Sequence, residues 1–326
     1  MQLREDGLGG CVAVTDRPIY DVVVLGGGLA GLTAGLFAAR HGLATLVVEA
    51  AVPGGHLINV ASIEDYPGFP EGVAGYDLGP LVQEQAANHG AEFQLALVQR
   101  LEWQNPDWLV GTSDGAHPAK AVIVALGSRR KELGIAGEAR FQGKGVSHCA
   151  TCDGPLFRNR VVAVVGGGDS GLQEALTLAE YAASVIVLVR EATPGAQQVY
   201  QQRVAGQPTI QVKTGRTVEE ICGADAVTGV RTRNVTTGEE ETIELAGLFV
   251  YAGLEPNTQF LRGVVPLDAA GHIPTDISMR TERPGLFAAG DIRQGSARQA
   301  VSSAGDGATA AIAAYQYVRS RVWTSS

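Results

Sequence analysis

A chain of 326 residues has the length of about two ordinary domains, and its 45% hydrophobic content provides for a sizeable core. A formal net charge of −9 excludes a nucleic-acid surface, which needs clustered lysine and arginine. Four cysteines are too few to staple a secreted scaffold of this size, whereas 43 glycines far exceed the roughly 23 that average usage predicts and point to tight turns and close backbone–ligand approaches.

In chain order, residues 1–18 read as a polar, flexible lead-in that lacks the basic and apolar regions of a signal peptide. Apolar runs elsewhere are only strand-length, so the expectation is a cytoplasmic protein without a membrane span. Tyr20–Leu25 reads as a buried parallel strand, followed by the loop Gly26-Gly27-Gly28-Leu29-Ala30-Gly31, a helix to Arg40 and a second strand over 44–49. Strands are expected over 91–101, 108–112 and 121–126, with turns at Asn105-Pro106-Asp107 and Asp114-Gly115. The first unit then recurs 140 residues later: a strand at 161–165, the loop Gly166-Gly167-Gly168-Asp169-Ser170-Gly171, a helix over 172–181 and a strand over 185–190. More strand-like sequence follows at 210–214, 227–234 and 241–249. The remaining stretch from about Tyr251 has no glycine-loop unit of its own; it offers Gly285 to Asp291 and a helical run over 298–319. The fold class is therefore α/β, with two Rossmann-like, three-layer ββα dinucleotide-binding domains, the second inserted in the first. The first domain is expected over 19–131 and 247–326 and the second over 132–246.

A lone G-x-G-x-x-G is a weak signal, but here each copy has a strand before it and a helix after it. Gly26 makes the turn, Gly28 lets the backbone approach a pyrophosphate, and Gly31 permits helix–strand packing; the helix N-terminus holds the phosphate charge. Glu49, ending the next strand, stands where an acid binds ribose hydroxyls. The first copy is thus a nucleotide site. In the second, Gly166, Gly168 and Gly171 repeat the glycines, but Val189 replaces Glu49 and cannot accept a hydrogen bond. Arg190, the one nearby cation, has the carboxylate of Glu191 beside it, so a 2′-phosphate finds no cluster of arginines there.

Cys149 and Cys152 form a C-x-x-C just before the second loop's strand. The spacing allows a small disulfide, and Asp153 can exchange a proton with a departing thiolate. Structural zinc needs four ligands, and no second Cys or Cys/His pair exists, so no metal is expected. A chance spacing of two thiols competes with redox work, which the neighbouring nucleotide site favours. Cys11, Cys222 and His148 are read as incidental.

From about Tyr20 to Val318 the chain resembles the low-molecular-weight bacterial thioredoxin reductases. The resemblance rests on the Gly26 loop, Pro53-Gly54-Gly55-His56-Leu57, Ile63-Glu64-Asp65-Tyr66-Pro67-Gly68, Cys149-Ala150-Thr151-Cys152-Asp153-Gly154, Gly290-Asp291 and Arg298-Gln299-Ala300. It implies a homodimeric FAD-dependent disulfide oxidoreductase. FAD would be held by Gly26, Gly28, Leu29, Ala30, Gly31, Glu49, Gly55, His56, Leu57, Asp65, Val98, Gly127, Gly290, Asp291, Arg298, Gln299 and Ala300. Cys152 would lie against the flavin, Cys149 would exchange with a thioredoxin-like protein disulfide, and Asp153 would be the acid. Domain rotation would bring nicotinamide and dithiol to the flavin in turn. NADPH or NADH would use Gly166, Gly168, Asp169, Ser170, Gly171 and Arg190.

The chain departs from the family at His56, where it has glutamine, and at Asp65, where it has asparagine. It departs again at Val189-Arg190-Glu191 and Gly195, which replace the arginines that hold a 2′-phosphate. Relatives with similar losses take electrons from reduced ferredoxin or a second flavin, or oxidise small dithiols with oxygen. Trp323 is an aromatic that could cover a flavin face, with surface or dimer packing as the competing role. Beside the reductase stand two alternatives: an oxygen-dependent dithiol oxidase acting on a small metabolite, and a non-enzymatic flavin redox sensor.

Overall fold

The structure is a computed structural model that describes residues 19–323; the expected flexible segment 1–18 and Cys11 lie outside the described residues. The chain divides into two compact units, one made of Met1–Ser128 and Pro256–Ser326, the other of Arg129–Glu255.

In the first unit, Tyr20–Leu25 pairs in parallel with Thr45–Glu49 on one side and with Gly115–Val124 on the other. Glu92–Leu95 continues the sheet beyond Thr45–Glu49. The ten-residue strand Gly115–Val124 serves two sheets' worth of partners. Its first half pairs antiparallel with Asp107–Thr112, which pairs with Val98–Gln104; its last residues pair in parallel with Leu286–Ala288. Side chains alternate across a strand, and the burial follows. Val22 and Val24 face the helices Leu29–Arg40 and Ala300–Ser320, meeting Ala34, Ala38, Ala310 and Ala314. Val23 and Leu25 face the other way, onto Leu101, Trp108, Val110, Leu261 and Ile273. Each such aliphatic side chain, fully buried, contributes about 1.5–3 kcal/mol. The two helices pack closely because small residues meet: a Cβ on Gly307 would lie 2.1 Å from the Ala30 carbonyl oxygen.

The second unit repeats the plan. Ile210–Lys213, Ser184–Leu188, Val161–Val165, Gly247–Val250 and Val146–Ser147 form a parallel sheet in that order. Val162 and Val164 pack on Leu172, Ala175 and Leu178 of the helix Asp169–Ala179. Ala163, Ile186 and Leu248 pack on Val218, Ile221, Val230 and Ile243 of a three-stranded antiparallel sheet, Arg216–Gly223, Val227–Asn234 and Glu240–Glu244. Both units are Rossmann-like, and the second interrupts the first.

Several expectations shift. The strand expected over 241–249 is two strands in different sheets, Glu240–Glu244 and Gly247–Val250. The latter pairs with Val161–Val165, so the second unit extends to Glu255 rather than ending at 246. Its start is Arg129 rather than 132. The strand expected over 91–101 breaks at Ala96, whose amide turns to the Glu49 carbonyl. The strand Arg216–Gly223 was not anticipated: a register shift between Val218 and Glu220 breaks its alternation, leaving adjacent glutamates mid-strand. The helix Gly75–Asn88 was likewise unforeseen, with Pro80 inside it.

Candidate active site

The first glycine loop opens on a cavity of about 860 Å³, near the upper end of the roughly 300–1,000 Å³ usual for ligand pockets. Gly26 takes φ +104°, and a Cβ there would lie 2.4 Å from the Ala125 carbonyl oxygen; one on Gly31 would lie 1.9 Å from the carbonyl oxygen of Gly26. Neither position admits a side chain without moving backbone. A Cβ on Gly28 would meet only the Gly55 Cα, at 4.0 Å, so this edge is left open. At the end of Thr45–Glu49 the Glu49 carboxylate accepts from the amides of Gly27 (2.5 Å) and Ala51 (2.9 Å), which fixes it beside the loop.

Of the residues that the resemblance assigns to FAD, Gly26, Gly28, Leu29, Ala30, Glu49, Gly55, His56, Leu57, Val98, Gly127, Gly290, Asp291, Arg298, Gln299 and Ala300 line this cavity. Gly31 lies behind the wall, in the loop–helix packing. Asp65 is exposed and is not among the residues that line it. His56 reaches back to the wall, its Nε2 in a short hydrogen bond with the Ser128 carbonyl oxygen.

The far wall is braced by groups that sequence reasoning missed. Asp306, 7% exposed, accepts from the Gly290 amide (3.1 Å) and holds Arg293 with both oxygens, at 2.5 and 2.9 Å. A bidentate pair of this kind fixes geometry as well as charge, and it sets the turn carrying Asp291. An acid among alanines and glycines on a helix was the available signal. Asn257 donates to the Leu126 carbonyl (2.9 Å) and closes the floor near Gly127. The helix Ala300–Ser320 starts at the cavity with a capping box between Gln299 and Ser302. Loop, carboxylate, volume and helix start together fit a flavin dinucleotide.

Trp323 packs in the core of its own unit, edge-on to Phe287 (5.2 Å) and Tyr317 (5.3 Å) with the Arg280 guanidinium over it.

In the second unit, Cys149 and Cys152 are joined in a disulfide with Cα atoms 5.3 Å apart. The pair sits on the one-turn helix Ala150–Asp153, and Cys149 Sγ accepts from the Cys152 amide (3.2 Å). Cys152 is exposed and Cys149 half-buried. Ser147, 4% exposed, donates to Asp153 Oδ2 (2.6 Å) and accepts from the Cys149 amide (3.1 Å), so one hydroxyl ties Asp153 to the cysteine turn. The Nδ1 of His148 bonds the Val250 carbonyl oxygen (3.1 Å). Cys222 is a free thiol in Arg216–Gly223, part of the antiparallel sheet.

The second glycine loop keeps the turn geometry of the first. Gly166 takes φ +131°, and a Cβ on Gly171 would lie 2.2 Å from the Gly166 carbonyl oxygen. Val189 is fully buried, its Cγ1 2.6 Å from where a Gly167 Cβ would be. Arg190 binds Glu191 through Nε (3.2 Å) and Nη2 (3.1 Å), and both are exposed. Asp169 accepts from the amide (2.7 Å) and Nε2 (2.9 Å) of Gln197, while Gly168 and Ser170 are exposed.

A family model described as pyridine nucleotide-disulphide oxidoreductase matches residues 20–307. The thioredoxin reductase of Listeria monocytogenes is 39% identical over 305 residues, covering 93% of this chain and 95% of its own length. Among solved structures, Lactococcus lactis thioredoxin reductase matches with a TM-score of 0.90 at 40% identity, covering 92% of this chain and 99% of its own. T. acidophilum thioredoxin reductase matches at 0.89 and 36%, over 93% and 100%. The chain belongs to the thioredoxin reductase family of the pyridine nucleotide-disulphide oxidoreductases. It is an FAD-dependent disulfide oxidoreductase, an enzyme rather than a binding module.

Proposed function

We propose that the chain reduces the disulfide of thioredoxin or a similar small protein, with Cys149 as attacking sulfur and Asp153 as acid. The observation that carries this is the closed Cys149–Cys152 bridge with its Ser147–Asp153 brace. FAD, when held by the residues that line the first unit's cavity, would supply the electron pair that opens the bridge. The Cys152 amide stabilises the Cys149 thiolate that results. That thiolate attacks one sulfur of the partner's disulfide and forms a mixed disulfide, and the other partner sulfur leaves as a thiolate that takes a proton. Cys152, deprotonated, attacks Cys149 Sγ, releases the second partner sulfur and restores the bridge. The partner gains two electrons and two protons. Asp153, oriented through its Oδ2, exchanges protons with the departing sulfurs.

The donor in this reading is not NADPH. Val189 removes the ribose acceptor, and Glu191 neutralises Arg190, leaving no cluster of cations for a 2′-phosphate. Reduced ferredoxin or a second flavin takes its place. A homodimer in the cytoplasm belongs to the same proposal; among the described residues no helix is long and apolar enough to cross a membrane.

An anaerobic titration of the flavin absorbance tests both parts. Bleaching is expected with reduced ferredoxin or dithionite, followed by stoichiometric reduction of added thioredoxin, and not with NADPH. Bleaching at micromolar NADPH overturns the donor assignment. Peroxide formation from added small dithiols, without thioredoxin reduction, replaces the reductase by the oxidase.

A further inference from the structure

Behind the cysteine turn lies a polar cluster that the chemistry above does not use. The Ala150 amide, the first after Cys149, belongs to a fully buried residue and donates to Glu174 Oε2 (3.1 Å) and to the Tyr251 hydroxyl (3.3 Å). The Tyr251 hydroxyl in turn hydrogen-bonds Glu174. Glu174 comes from the helix Asp169–Ala179, and Tyr251 directly follows the strand Gly247–Val250. Two elements of the second unit's framework thus converge on one backbone N–H between the two sulfurs.

A single amide at a helix start needs no more than a serine or a water. A half-buried carboxyl is a costly partner, because burial disfavours its charged form. Burial pushes the Glu174 carboxyl up against the opposing pull of the Ala150 amide, Arg130 and Tyr251; burial and the neighbouring Glu174 together keep the Tyr251 phenol protonated. The charged and titratable groups that act on Glu174 are Arg130, whose guanidinium lies 4.9 Å from the centre of the Tyr251 ring, and Tyr251 itself.

We propose that Glu174 is a positioning residue for the dithiol: by holding the Ala150 amide it keeps the Cys152 N–H aimed at Cys149 Sγ, and its charge sets how readily Cys149 ionises once the bridge is open. The proposal rests on the assignment of Cys149 and Cys152 as the working pair. Its test needs neither flavin donor nor protein substrate, so it fails separately from that assignment.

The holoprotein is reduced with excess dithiothreitol, which gives up two electrons and two protons to the bridge and becomes its own cyclic disulfide. Iodoacetamide then alkylates each thiolate, with iodide leaving, and peptide mapping follows Cys149 across pH. A carboxylate near sulfur disfavours the thiolate. Glu174→Gln keeps an acceptor for the amide but drops the charge, and should move the Cys149 midpoint down by about half a pH unit, an order-of-magnitude value for one partly screened charge. Tyr251→Phe removes a donor to Glu174, raises that carboxyl further and moves the Cys149 profile in the same direction over the pH range where the carboxyl gains its proton. The Cys222 profile, on another sheet, should stay fixed in both variants. Unchanged Cys149 profiles overturn the proposal, and so do Cys149 and Cys222 profiles that shift together, which would mark a general loosening. If Glu174→Gln fails to fold, the Tyr251→Phe profile decides alone.

Discussion

The two glycine loops of this chain are nearly the same object in backbone and quite different in chemistry. Gly26 and Gly166 both take positive φ, and Gly31 and Gly171 both press on the carbonyl of the loop's first glycine. At the end of the following strand the copies part: Glu49 accepts from the Gly27 amide, whereas Val189 packs its methyls against Gly167. The first loop also has company, a helix start at Ala300 and a turn at Asp291 braced by Asp306. In the second, Asp169 is engaged with Gln197 and Arg190 with Glu191. Turn geometry follows from steric contacts that any substitution disturbs, so it persists through duplication. The ligand is decided by one or two side chains at the strand end, which can change without cost to the fold.

The largest effect expected from this division of labour concerns the sulfurs. Cys149→Ser or Cys152→Ser should lower reduction of a protein disulfide by about a thousandfold or more, while flavin content per chain stays at the wild-type value, because the FAD cavity is formed by the first unit alone. A variant that kept turnover would remove the dithiol from the mechanism. Next in size is a matched pair of glycine substitutions. Gly31→Ala must displace backbone at 1.9 Å, and should cost the protein its bound flavin, so that it purifies colourless. Gly171→Ala meets the same obstacle at 2.2 Å in the other loop and should leave the yellow colour intact. Equal flavin loss in both would mean that the loops do not act separately.

Much of this was legible in the sequence because it is written locally. Each loop has its strand before and helix after, and the cysteine run sits beside an acid. The rest depends on contacts between residues that no local motif links. Asp306 braces Gly290 from the second turn of a helix, Ser147 gains meaning only from the Asp153 contact, and Glu174 and Tyr251 meet Ala150 from 24 and 101 residues away. The end of the second unit was misplaced for a related reason. Strand pairing, not composition, assigns Gly247–Val250 to the parallel sheet, and the apolar run Leu248-Phe249-Val250 would suit either neighbour.

A smaller effect sharpens the contrast by rebuilding the missing acid. Val189→Glu places a carboxylate where Glu49 stands in the first loop, with the Gly167 amide available to it as the Gly27 amide is to Glu49. One hydrogen bond to a charged group contributes roughly 1.5 kcal/mol, so affinity for NADH, measured by calorimetry, should rise about tenfold. NADPH should gain nothing, since Glu191 still neutralises Arg190. A gain for NADPH equal to that for NADH would show that the 2′-phosphate is not discriminated at this strand end.

The smallest difference lies at the foot of the two repeats. Asp21 opens the first repeat's strand, and Val161 holds the same place in the second. Burial alone would push the Asp21 carboxyl up, but the Lys120 ammonium at 2.7 Å and the Ala44 amide at 2.9 Å outweigh it and hold it below its usual value. A carboxyl lowered by folding stabilises the folded state above its unfolded pKa near 4, and that contribution is lost as pH falls through the folded value. The pair is partly exposed, so it should be worth less than about 1 kcal/mol. All three tryptophans, Trp103, Trp108 and Trp323, belong to the first unit, so indole fluorescence in urea reports that unit's unfolding. Asp21→Asn should lower the urea midpoint of that signal at pH 7 and lower it by less near pH 3, below the unfolded carboxyl's value, where the contribution is being lost. An equal deficit at both pH values would mean that the side chain acts through its hydrogen bonds and not through its charge.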